Sequence, residues 1–591
     1  RPIALHGARN GCFSGCIVAT GSGPFRGLAA AASELKLDGG GGSIPASAVL
    51  VRYARPTQRG NSWNGIGRFD ALLEKPPSEV PVPRFKGYST YHVKRWGRAG
   101  GKPVATQPIW VTVKVPKDAR PGAYSGTLTV SAEGLSAVRV PLNIDVAAWT
   151  LPDPKDFTIR NLARISWEEE ARFYGVPLWS EKHLELCGRT MELMNAIGSQ
   201  QLDIELAEKI KHRDNSESMV LWVKKPGGGY TYDFTAVEKI FDLCAEKYGR
   251  PCPLRVNLWW YEFSKGKDFK KKGNRAGKVT TLDPATGKKG QLDEPPLGSR
   301  ENVEFWRPVM TELRKRIEKR GWWQFTAVGD ARYAGSCDAP CVDTVHAIWP
   351  DAKWAATQHG TTRTFRGSSK TKARMPVAYG ETVWAAGPLK PYFEWLAGGP
   401  PAQKVIALKP ATTGIECAYI RNRHHDADPL WIHRVLVEET VMRGRQGVGP
   451  LGGNLWPLEQ KDARGRVRYW NAAGNCHLGP GTSTKAVVAP GPEGAVASER
   501  YEAFREGVQI GEAIIFLARA LAGGRLDAGL AKKVRELLAE RTRKWKEAGG
   551  GSSKSGSPNK WDVPKLADGA ADRDHRLFQA AAEVAAKVGM K

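Results

Sequence analysis

The sequence has no run of about 18 apolar residues, the minimum for a helix that spans a membrane, so no membrane span is expected. It also lacks zinc-finger spacing, an RNP-like aromatic strand and a helix-turn-helix signature, which argues against nucleic acid as the main partner. Residues 21–27 hold several glycines, but their spacing differs from a dinucleotide-binding loop and no helix is predicted after them. We therefore expect no cofactor.

Cysteine is scarce, with nine residues in a chain of 591. The cysteines that lie close together in sequence are Cys12 with Cys16, Cys244 with Cys252, and Cys337 with Cys341. None of these pairs gives the double C-x2-C spacing of a zinc site or the C-x2-C-H of a c-type haem site. Two interpretations remain: one to three disulfides in an exported protein, or buried thiols. The odd count leaves at least one cysteine unpaired.

Negative charge is in short supply, because 88 lysine and arginine residues face 61 acidic residues and give a net charge of +27. A basic protein favours anionic partners such as acidic or sulfated glycans, nucleic acid or anionic surfaces. The basic residues are scattered, and the densest run covers residues 265–272. A generally basic surface without a dedicated partner is the alternative interpretation.

The N-terminal part carries the pattern of an all-β domain. Residues 109–115 alternate apolar and polar side chains, as a half-buried strand does. A Pro121-Gly122 turn follows, and residues 123–130 and 138–146 are predicted as the next strands. Short strands between glycine- and proline-rich turns indicate a β-sandwich over residues 1–152.

Beyond residue 155 short apolar runs alternate with amphipathic helices, which is typical of βα units. The predicted strands are 158–166, 200–205, 254–260, 322–330, 353–359, 376–384, 413–421 and 449–456. Helices are predicted at 181–197 and 301–319, where apolar residues recur every three or four positions. Eight strands predict a (β/α)8 TIM-like barrel over residues 155–470. Residues 471–591 are expected to be mainly helical and to pack on the barrel, with helices at 501–522, 526–548 and 571–587.

A barrel keeps its chemistry at the carboxyl ends of its strands. Residues 321–333, GWWQFTAVGDARY, read as a buried strand that ends on Asp330, which we predict to be catalytic. Sugars present apolar faces edged by hydroxyl groups, so aromatic and charged residues at the other strand ends are candidate sugar ligands. The predicted substrate-binding residues are Arg164, Trp259, Tyr261, Tyr333, His359, Trp384, Arg421, Arg423, His424 and Trp456.

Two tempting motifs are set aside. His424-His425-Asp426 with Asp428 looks like a metal cluster, but adjacent residues of an extended chain point to opposite faces, so we predict no metal site. Asp293-Glu294-Pro295 looks like a paired carboxylate, but no strand is predicted before it. We therefore predict a surface turn there.

A resemblance rests on two further motifs. Residues 500–507, Arg-Tyr-Glu-Ala-Phe-Arg-Glu-Gly, are similar to an Arg-x-Glu-x-x-Arg-Glu-Gly segment of glycoside hydrolase family 123-like proteins, which carry the region called DUF4091. Residues 121–127 resemble the turn of the sandwich in the same family. The order of sandwich, barrel and C-terminal helices also resembles the family over nearly the whole chain.

The resemblance implies a substrate-assisted β-N-acetylgalactosaminidase, in which the acetamido oxygen of the substrate attacks the anomeric carbon. An aspartate orients that group and the following glutamate protonates the leaving oxygen. Asp330 matches the aspartate by position, but Ala331 occupies the place of the glutamate and cannot donate a proton. Three alternatives stay open: Glu381 supplies the acid, a rearranged site cleaves a different linkage, or the barrel binds glycans without cleaving them.

The basic charge and the resemblance together suggest the ligand and the compartment. Arg164, Arg332, Arg421 and Arg423 could bind sulfate or carboxylate groups, because a guanidinium matches an oxyanion. We expect a glycan partner, either an N-acetylhexosaminide or an anionic polysaccharide, and a secreted, periplasmic or cell-surface location. The oligomeric state does not follow from the sequence.

Overall fold

The computed structural model describes residues 2–56, 69–82, 104–210, 215–249, 252–259, 277–330, 339–358, 364–382, 390–408, 415–418, 429–449, 451–456, 458–461, 464–465, 467–470, 486–548 and 562–589. The strands up to Thr150 are β1 (Ile3–Arg9), β2 (Cys12–Gly21), β3 (Phe25–Arg26), β4 (Ala29–Ala32), β5 (Leu35–Leu37), β6 (Ser43–Ile44), β7 (Val49–Pro56), β8 (Phe69–Leu73), β9 (Glu79–Val80), β10 (Ala105–Lys114), β11 (Gly122–Ala132) and β12 (Leu135–Thr150).

These strands form two larger sheets that share one core. One sheet has the order β1-β12-β11-β5-β6 with β4 also paired to β11, and the other has the order β2-β10-β7-β8. Leu5 and Ile144 of the first sheet pack in one buried cluster with Val111 and Val113 of the second. The predicted strands 109–115, 123–130 and 138–146 overlap β10, β11 and β12, so the alternating pattern identified real strands.

The strands of the central part of the chain are β13 (Ala163–Arg164), β14 (Leu202–Glu205), β15 (Leu221–Lys224), β16 (Tyr230–Asp233), β17 (Leu254–Trp259), β18 (Lys278–Leu282), β19 (Lys289–Asp293), β20 (Thr326–Asp330), β21 (Trp354–Gln358), β22 (Thr364–Arg366), β23 (Arg374–Thr382), β24 (Ile415–Ala418), β25 (Gly447–Val448), β26 (Leu451–Gly452), β27 (Leu458–Lys461), β28 (Val467–Trp470), β29 (Val488–Gly491) and β30 (Gly494–Ala497).

Seven of them form a parallel sheet in the order β14-β17-β20-β21-β23-β24-β25, with β22 added to β23. Each of the eight strands predicted for the barrel overlaps a strand, and β13 pairs in parallel with β26. The predicted 322–330 strand is shorter than expected, because Trp323–Phe325 is a 3-10 turn and β20 begins at Thr326.

The helices are α1 (Trp167–Tyr174), α2 (Glu181–Ala196), α3 (Thr235–Tyr248), α4 (Arg300–Lys319), α5 (Ala339–Ile348), α6 (Lys390–Leu396), α7 (Gln403–Ile406), α8 (Pro429–Met442), α9 (Glu499–Ala522), α10 (Ala528–Glu547), α11 (Val563–Ala567) and α12 (Ala570–Val588). Ser180, Ser299 and Ser498 cap α2, α4 and α9, because each side chain accepts a hydrogen bond from a backbone N–H of the first turn. All five predicted helices overlap these elements. In the described part of the chain no helix is long and apolar enough to cross a membrane.

A polar stripe on α9 binds this helix to the sandwich. Glu499, Glu502, Glu506 and Gln509 follow steps of three and four residues, so they lie on one face. Glu499 accepts from Trp110 Nε1 at 2.9 Å, and Gln509 exchanges two hydrogen bonds with the backbone of Cys12. We call this stripe, with its sandwich partners, the α9 interface.

The family-like segment 500–507 lies within the α9 interface. Glu502 Oε1 accepts from Arg52 Nη2 at 2.7 Å, and Arg505 pairs with the other oxygen of the same carboxylate. Burial alone would raise the pKa of Glu502, but Arg505 and Arg52 outweigh it and hold this pKa below its usual range. A Cβ at position 507 would meet Arg434 O at 2.3 Å, so only glycine lets α9 approach α8 this closely. The motif therefore has a scaffold role.

A small four-stranded sheet, β16-β15-β18-β19, accompanies the central sheet. Its two hairpins come directly after β14 and β17 in the chain, and β15 runs parallel to β18. Glu208, in the segment between β14 and β15, binds the second hairpin, because its carboxylate accepts from Thr280 Oγ1 at 2.7 Å and from Gln291 Nε2. None of these four strands was predicted.

Candidate active site at the carboxyl ends of the parallel strands

The register of the parallel sheet fixes where the two predicted catalytic residues lie. Asp330 pairs with Trp259 on one side and with Ala356 on the other, and Ala356 pairs with Gly380. Glu381 is thus one residue beyond the level of Asp330 and two strands away. Strands lie about 4.8 Å apart, so the Cα atoms of the two residues are about 10 Å apart. Both belong to the same edge of the same sheet.

A buried ion pair lies beneath this edge. Asp203 Oδ1 accepts from Arg255 Nε at 2.6 Å, and Gln201 Nε2 donates to Asp203 Oδ2 at 2.6 Å. Asn257 Nδ2 reaches Asp203 Oδ1 at 3.3 Å. Because Asp203 and Arg255 are cross-strand neighbours, this pair ties β14 to β17 inside the protein. We call this group the sheet floor.

Gly329 lets the sheet floor fit under Asp330. A Cβ at this position would lie 2.2 Å from Asn257 Oδ1 and 2.6 Å from two carbons of Arg255. Those distances are far below any normal contact, so the polar side chains of β17 occupy the space that a larger residue would need. Packing against β17 therefore explains why glycine precedes Asp330, which the sequence alone did not reveal.

The end of β13 carries a second buried polar group. Asn454 Oδ1 accepts from Ser166 N at 2.9 Å, and Asn454 Nδ2 donates to Ser166 O and to Glu170 Oε2. Thr190 Oγ1 donates to the other oxygen of Glu170 at 2.6 Å. Burial raises the pKa of Glu170 to about 7, although these hydrogen bonds oppose the shift. The group fixes the start of α1 against the segment that follows β26.

Glu294 contradicts the predicted surface turn at 293–295. Its side chain is 3% exposed and accepts from Trp259 Nε1 and Trp306 Nε1, both at 2.7 Å, and from Asn302 Nδ2 at 3.2 Å. The prediction was wrong because β19 directly precedes Glu294 and carries it into the core beside α4. Buried indole N–H groups require acceptors, and the nearby tryptophans therefore indicated a buried carboxylate, which the sequence analysis missed.

Three of the predicted substrate-binding side chains are described, and all are buried. Trp259 donates to Glu294, and Trp456 Nε1 donates to Val488 O at 3.0 Å. Phe173 and Tyr174 pack edge-on against the Trp456 ring. Arg164 is 2% exposed, and its carbonyl oxygen accepts from Gly453 N. Their role as sugar ligands stays a prediction.

The other predicted residues fall partly or wholly outside the described residues. For Asp330 and Glu381 the described part is the backbone only. Tyr261, Tyr333, His359, Trp384, Arg421, Arg423 and His424 lie outside it, as do Ala331 and Arg332. Within the described ranges no group of three histidine, cysteine or acidic side chains could hold a metal ion.

The cysteine spacing is corrected at one place. Cys12 and Cys16 lie four residues apart in the extended strand β2, so their Cα atoms are about 13 Å apart. A disulfide requires Cα atoms within about 7 Å, so this pair cannot form one. Cys337 lies outside the described residues.

The comparisons with known proteins agree with this fold. Residues 167–385 match the model of the glycoside hydrolase 123 catalytic domain, and residues 97–132 match that of the glycoside hydrolase 123 N-terminal domain. A family 123 glycoside hydrolase from Clostridium perfringens, solved in a study of glycolipid glycan hydrolysis, is similar in fold with a TM-score of 0.66. The likeness covers 100% of this chain and 96% of that chain at 14% identity.

Weaker likenesses add no argument. A GH5 xyloglucanase from Bacteroides ovatus has a TM-score of 0.26 and 9% identity, over 85% of this chain and 98% of that chain. A family 39 glycoside hydrolase from Bacteroides cellulosilyticus WH2 has a TM-score of 0.20 and 10% identity, over 60% and 49%. No curated protein matches the chain. Two family models and a structural likeness along the whole chain nevertheless agree with the resemblance of its motifs, and the chain is a glycoside hydrolase family 123-like protein.

Proposed function

We propose that the protein acts on glycans at the carboxyl edge of the parallel sheet, with Asp330 as the central residue. The observation that carries this proposal is the position of Asp330, at the end of a middle strand of a parallel sheet within a family 123-like fold. In parallel α/β proteins this edge is where ligands bind and where catalysis takes place.

The proposal includes closure of the strands into a barrel. Leu162 N donates to Val448 O at 2.9 Å, and Asn161 N donates to Gly198 O at 3.0 Å. The segment around β13 thus has hydrogen bonds both to the last strand of the sheet and to the residues before β14. These bonds support a (β/α)8 barrel over residues 155–470, between a sandwich at 1–152 and a helical region at 471–591.

Under this proposal Asp330 orients the acetamido group of an N-acetylhexosaminide, and Glu381 supplies the proton that Ala331 cannot. A Cα separation of about 10 Å suits two carboxyl residues on either side of a glycosidic bond, since glycosidase carboxyl groups lie about 5–9.5 Å apart. Loss of a general acid costs about 10²–10⁴-fold in rate. Glu381 is therefore the residue on which hydrolysis depends.

The second candidate function is glycan binding without cleavage, and Ala331 is the observation that favours it. A site that has lost its acid retains the shape that binds sugar. It would then serve as a cell-surface or matrix component with saturable binding and no turnover. We propose a secreted, periplasmic or cell-surface location, with which both functions agree.

We propose an anionic glycan as the ligand class, on the basis of charge. Lys224, Lys225 and Lys288 are exposed at the tips of the two hairpins of the small sheet, and these tips are neighbours because β15 and β18 are parallel. Together with the predicted arginines they favour sulfate or uronate groups. Binding on a glycan array at low ionic strength should weaken at high ionic strength. Binding of neutral glycans only would contradict this part.

The decisive experiment is a hydrolysis screen against aryl N-acetylgalactosaminide, aryl N-acetylglucosaminide and anionic polysaccharides. Asp330→Ala should abolish turnover, and Glu381→Gln should lower it by about 10²–10⁴-fold on natural linkages. Activated aryl leaving groups need little protonation, so Glu381→Gln should affect them less. Glu536→Gln, an exposed change on α10, is the matched control and should leave turnover unchanged.

One further variant separates the two candidate functions. Ala331→Glu restores the acid of the resembling family next to Asp330, and it should create turnover in a protein that otherwise only binds. Turnover of the unchanged protein that is insensitive to both Asp330→Ala and Glu381→Gln would contradict the proposed site. Saturable binding without turnover, lost in Asp330→Ala, would establish the second function.

A further inference from the structure

Cys244 and Cys252 meet in the core on the side of α3. Cys244 lies in the last turns of α3, and Cys252 lies two residues before β17. Their sulfur atoms are 3.3 Å apart, and the side chains are 0% and 2% exposed. Of the two sequence pairs whose members are both described, this is the one in contact, since Cys12 and Cys16 are too far apart along β2.

We propose that Cys244 and Cys252 form a disulfide when the protein folds in an oxidising compartment. A disulfide has a sulfur–sulfur distance of about 2.05 Å, so the two sulfurs must approach by roughly 1.2 Å. Cys244 lies one turn before the end of α3 and Cys252 lies in the connection before β17, so small rotations of the side chains and of this connection suffice. Cys187 offers a contrast, because its sulfur lies 3.4 Å from His183 Nε2.

The chemistry is thiol–disulfide exchange with a small-molecule disulfide such as oxidised glutathione. One cysteine thiolate attacks this disulfide, forms a mixed disulfide and releases one small thiolate, which takes up the proton that the cysteine lost. The second cysteine thiolate then attacks the protein sulfur of the mixed disulfide and releases the second small thiolate, which is protonated in the same way. The two cysteines lose two electrons and two protons, and the small disulfide gains them.

The burial of the pair sets when the exchange takes place. Burial keeps both thiols away from reagents in solution, so the bond forms before α3 packs against the sheet. Once formed, it closes a short loop between the end of α3 and the start of β17, the strand that carries Arg255 and Asn257 of the sheet floor. The crosslink restricts the unfolded chain and raises the unfolding midpoint.

Peptide mapping tests the proposal directly. The full chain is refolded in a buffer of reduced and oxidised glutathione, unfolded in the presence of an alkylating reagent, and digested with trypsin. Cleavage after Lys247 separates the cysteines into peptides 240–247 and 248–255, because trypsin does not cut between Arg250 and Pro251. The expected result is a crosslinked pair of these peptides in most molecules, which separates on reduction. Cys187, alone in peptide 183–189, is the control and should be alkylated in full.

Two variants complete the test. Cys244→Ser should leave Cys252 fully alkylated, and Cys252→Ser should do the same for Cys244; the labelling is done on unfolded chain, so poor folding does not obscure it. Reduction should lower the unfolding midpoint of the unchanged protein, but not that of either variant. Full alkylation of both cysteines after refolding, or a crosslink of either one to a different cysteine, would overturn the proposal.

Discussion

The α9 interface and the carboxyl edge of the parallel sheet place carboxylates in two different settings. Along α9 the acidic residues accept hydrogen bonds from the sandwich and from α9 itself. The acidic side chains of the family-like motif at residues 500–507 are bound in these contacts. At the sheet edge, the positions of Asp330 and Glu381 are determined by strand order and register alone. The comparison teaches that the family-like motif belongs to the scaffold, whereas the proposed catalytic residues lie at strand ends.

The largest effect should follow from breaking the α9 interface. Glu502→Gln removes the charge that compensates the buried Arg52 and Arg505, and loss of one partner of a buried pair costs about 3–5 kcal/mol. The free energy of unfolding, measured in denaturant, should fall by this amount. Glu536→Gln on α10 is the control, since Glu536 is 66% exposed and its pair with Lys532 spans 3.9 Å. Equal losses for the two variants would contradict a scaffold role for the motif.

The second effect distinguishes two carboxylates of the same helix by pH. Glu512 on α9 accepts from Ile159 N at 2.6 Å, and burial raises its pKa to about 7, whereas the pKa of Glu502 is lowered. A carboxyl group with a raised pKa stabilises the folded state below its unfolded pKa of about 4.5, and this contribution is lost as the pH rises to about 7. Glu512→Gln should therefore gain stability relative to the unchanged protein over this range.

The size of the gain is up to about 3 kcal/mol, since one pKa unit corresponds to about 1.4 kcal/mol. Unfolding curves of both proteins at pH 4.5, 6 and 7.5 give the difference directly, and other titrating groups cancel in it. A difference that does not change with pH would show that Glu512 is ionised in the folded protein. It would also remove the contrast between a charged Glu502 and a neutral Glu512 on the same helix.

The third effect concerns the sheet edge. Gly329→Ala forces a Cβ onto Asn257 Oδ1 and Arg255, and overpacking of this kind costs about 1–3 kcal/mol. Gly380→Ala is the matched control on β23, because its nearest contact would be Val377 Cγ1 at 3.9 Å. Thermal unfolding should separate the two variants, with only Gly329→Ala shifted downwards. Similar midpoints would mean that the sheet floor yields easily and does not support Asp330.

Burial decided which strands could be predicted from the sequence. The strands of the parallel sheet were found because they are buried on both faces and read as apolar runs. The small sheet was missed because strands such as β19 are mostly exposed and carry no apolar pattern. The position of Asp330 was predictable from its strand, but its separation from Glu381 depends on strand order. The partners of Glu294 come from three separate segments, and no local pattern reveals them.

The smallest effect tests the rim of the contact between the sandwich and the C-terminal helices. His6 Nδ1 of β1 lies 3.0 Å from His575 Nδ1 of α12, and Asp145 Oδ1 is 3.9 Å from the latter atom. Burial, and then the charge of His575, lower the pKa of His6, although Asp145, Asp574 and Asp572 act in the opposite direction. A histidine with a lowered pKa favours the neutral folded state, so its contribution to stability is lost as the pH falls through about 6.5.

His6→Gln keeps a hydrogen-bonding group and removes this titration. Between pH 7.5 and 5.5 the free energy of unfolding should fall further in the unchanged protein than in the variant. Solvent screens the partly exposed pair, so this difference should be below about 1 kcal/mol. Unfolding midpoints at both pH values measure it, and His346→Gln on α5 serves as a control away from the contact. An equal response to pH in all three proteins would mean that Asp145 compensates the charge. The rim would then resemble the α9 interface, where arginine and backbone donors compensate the carboxylates.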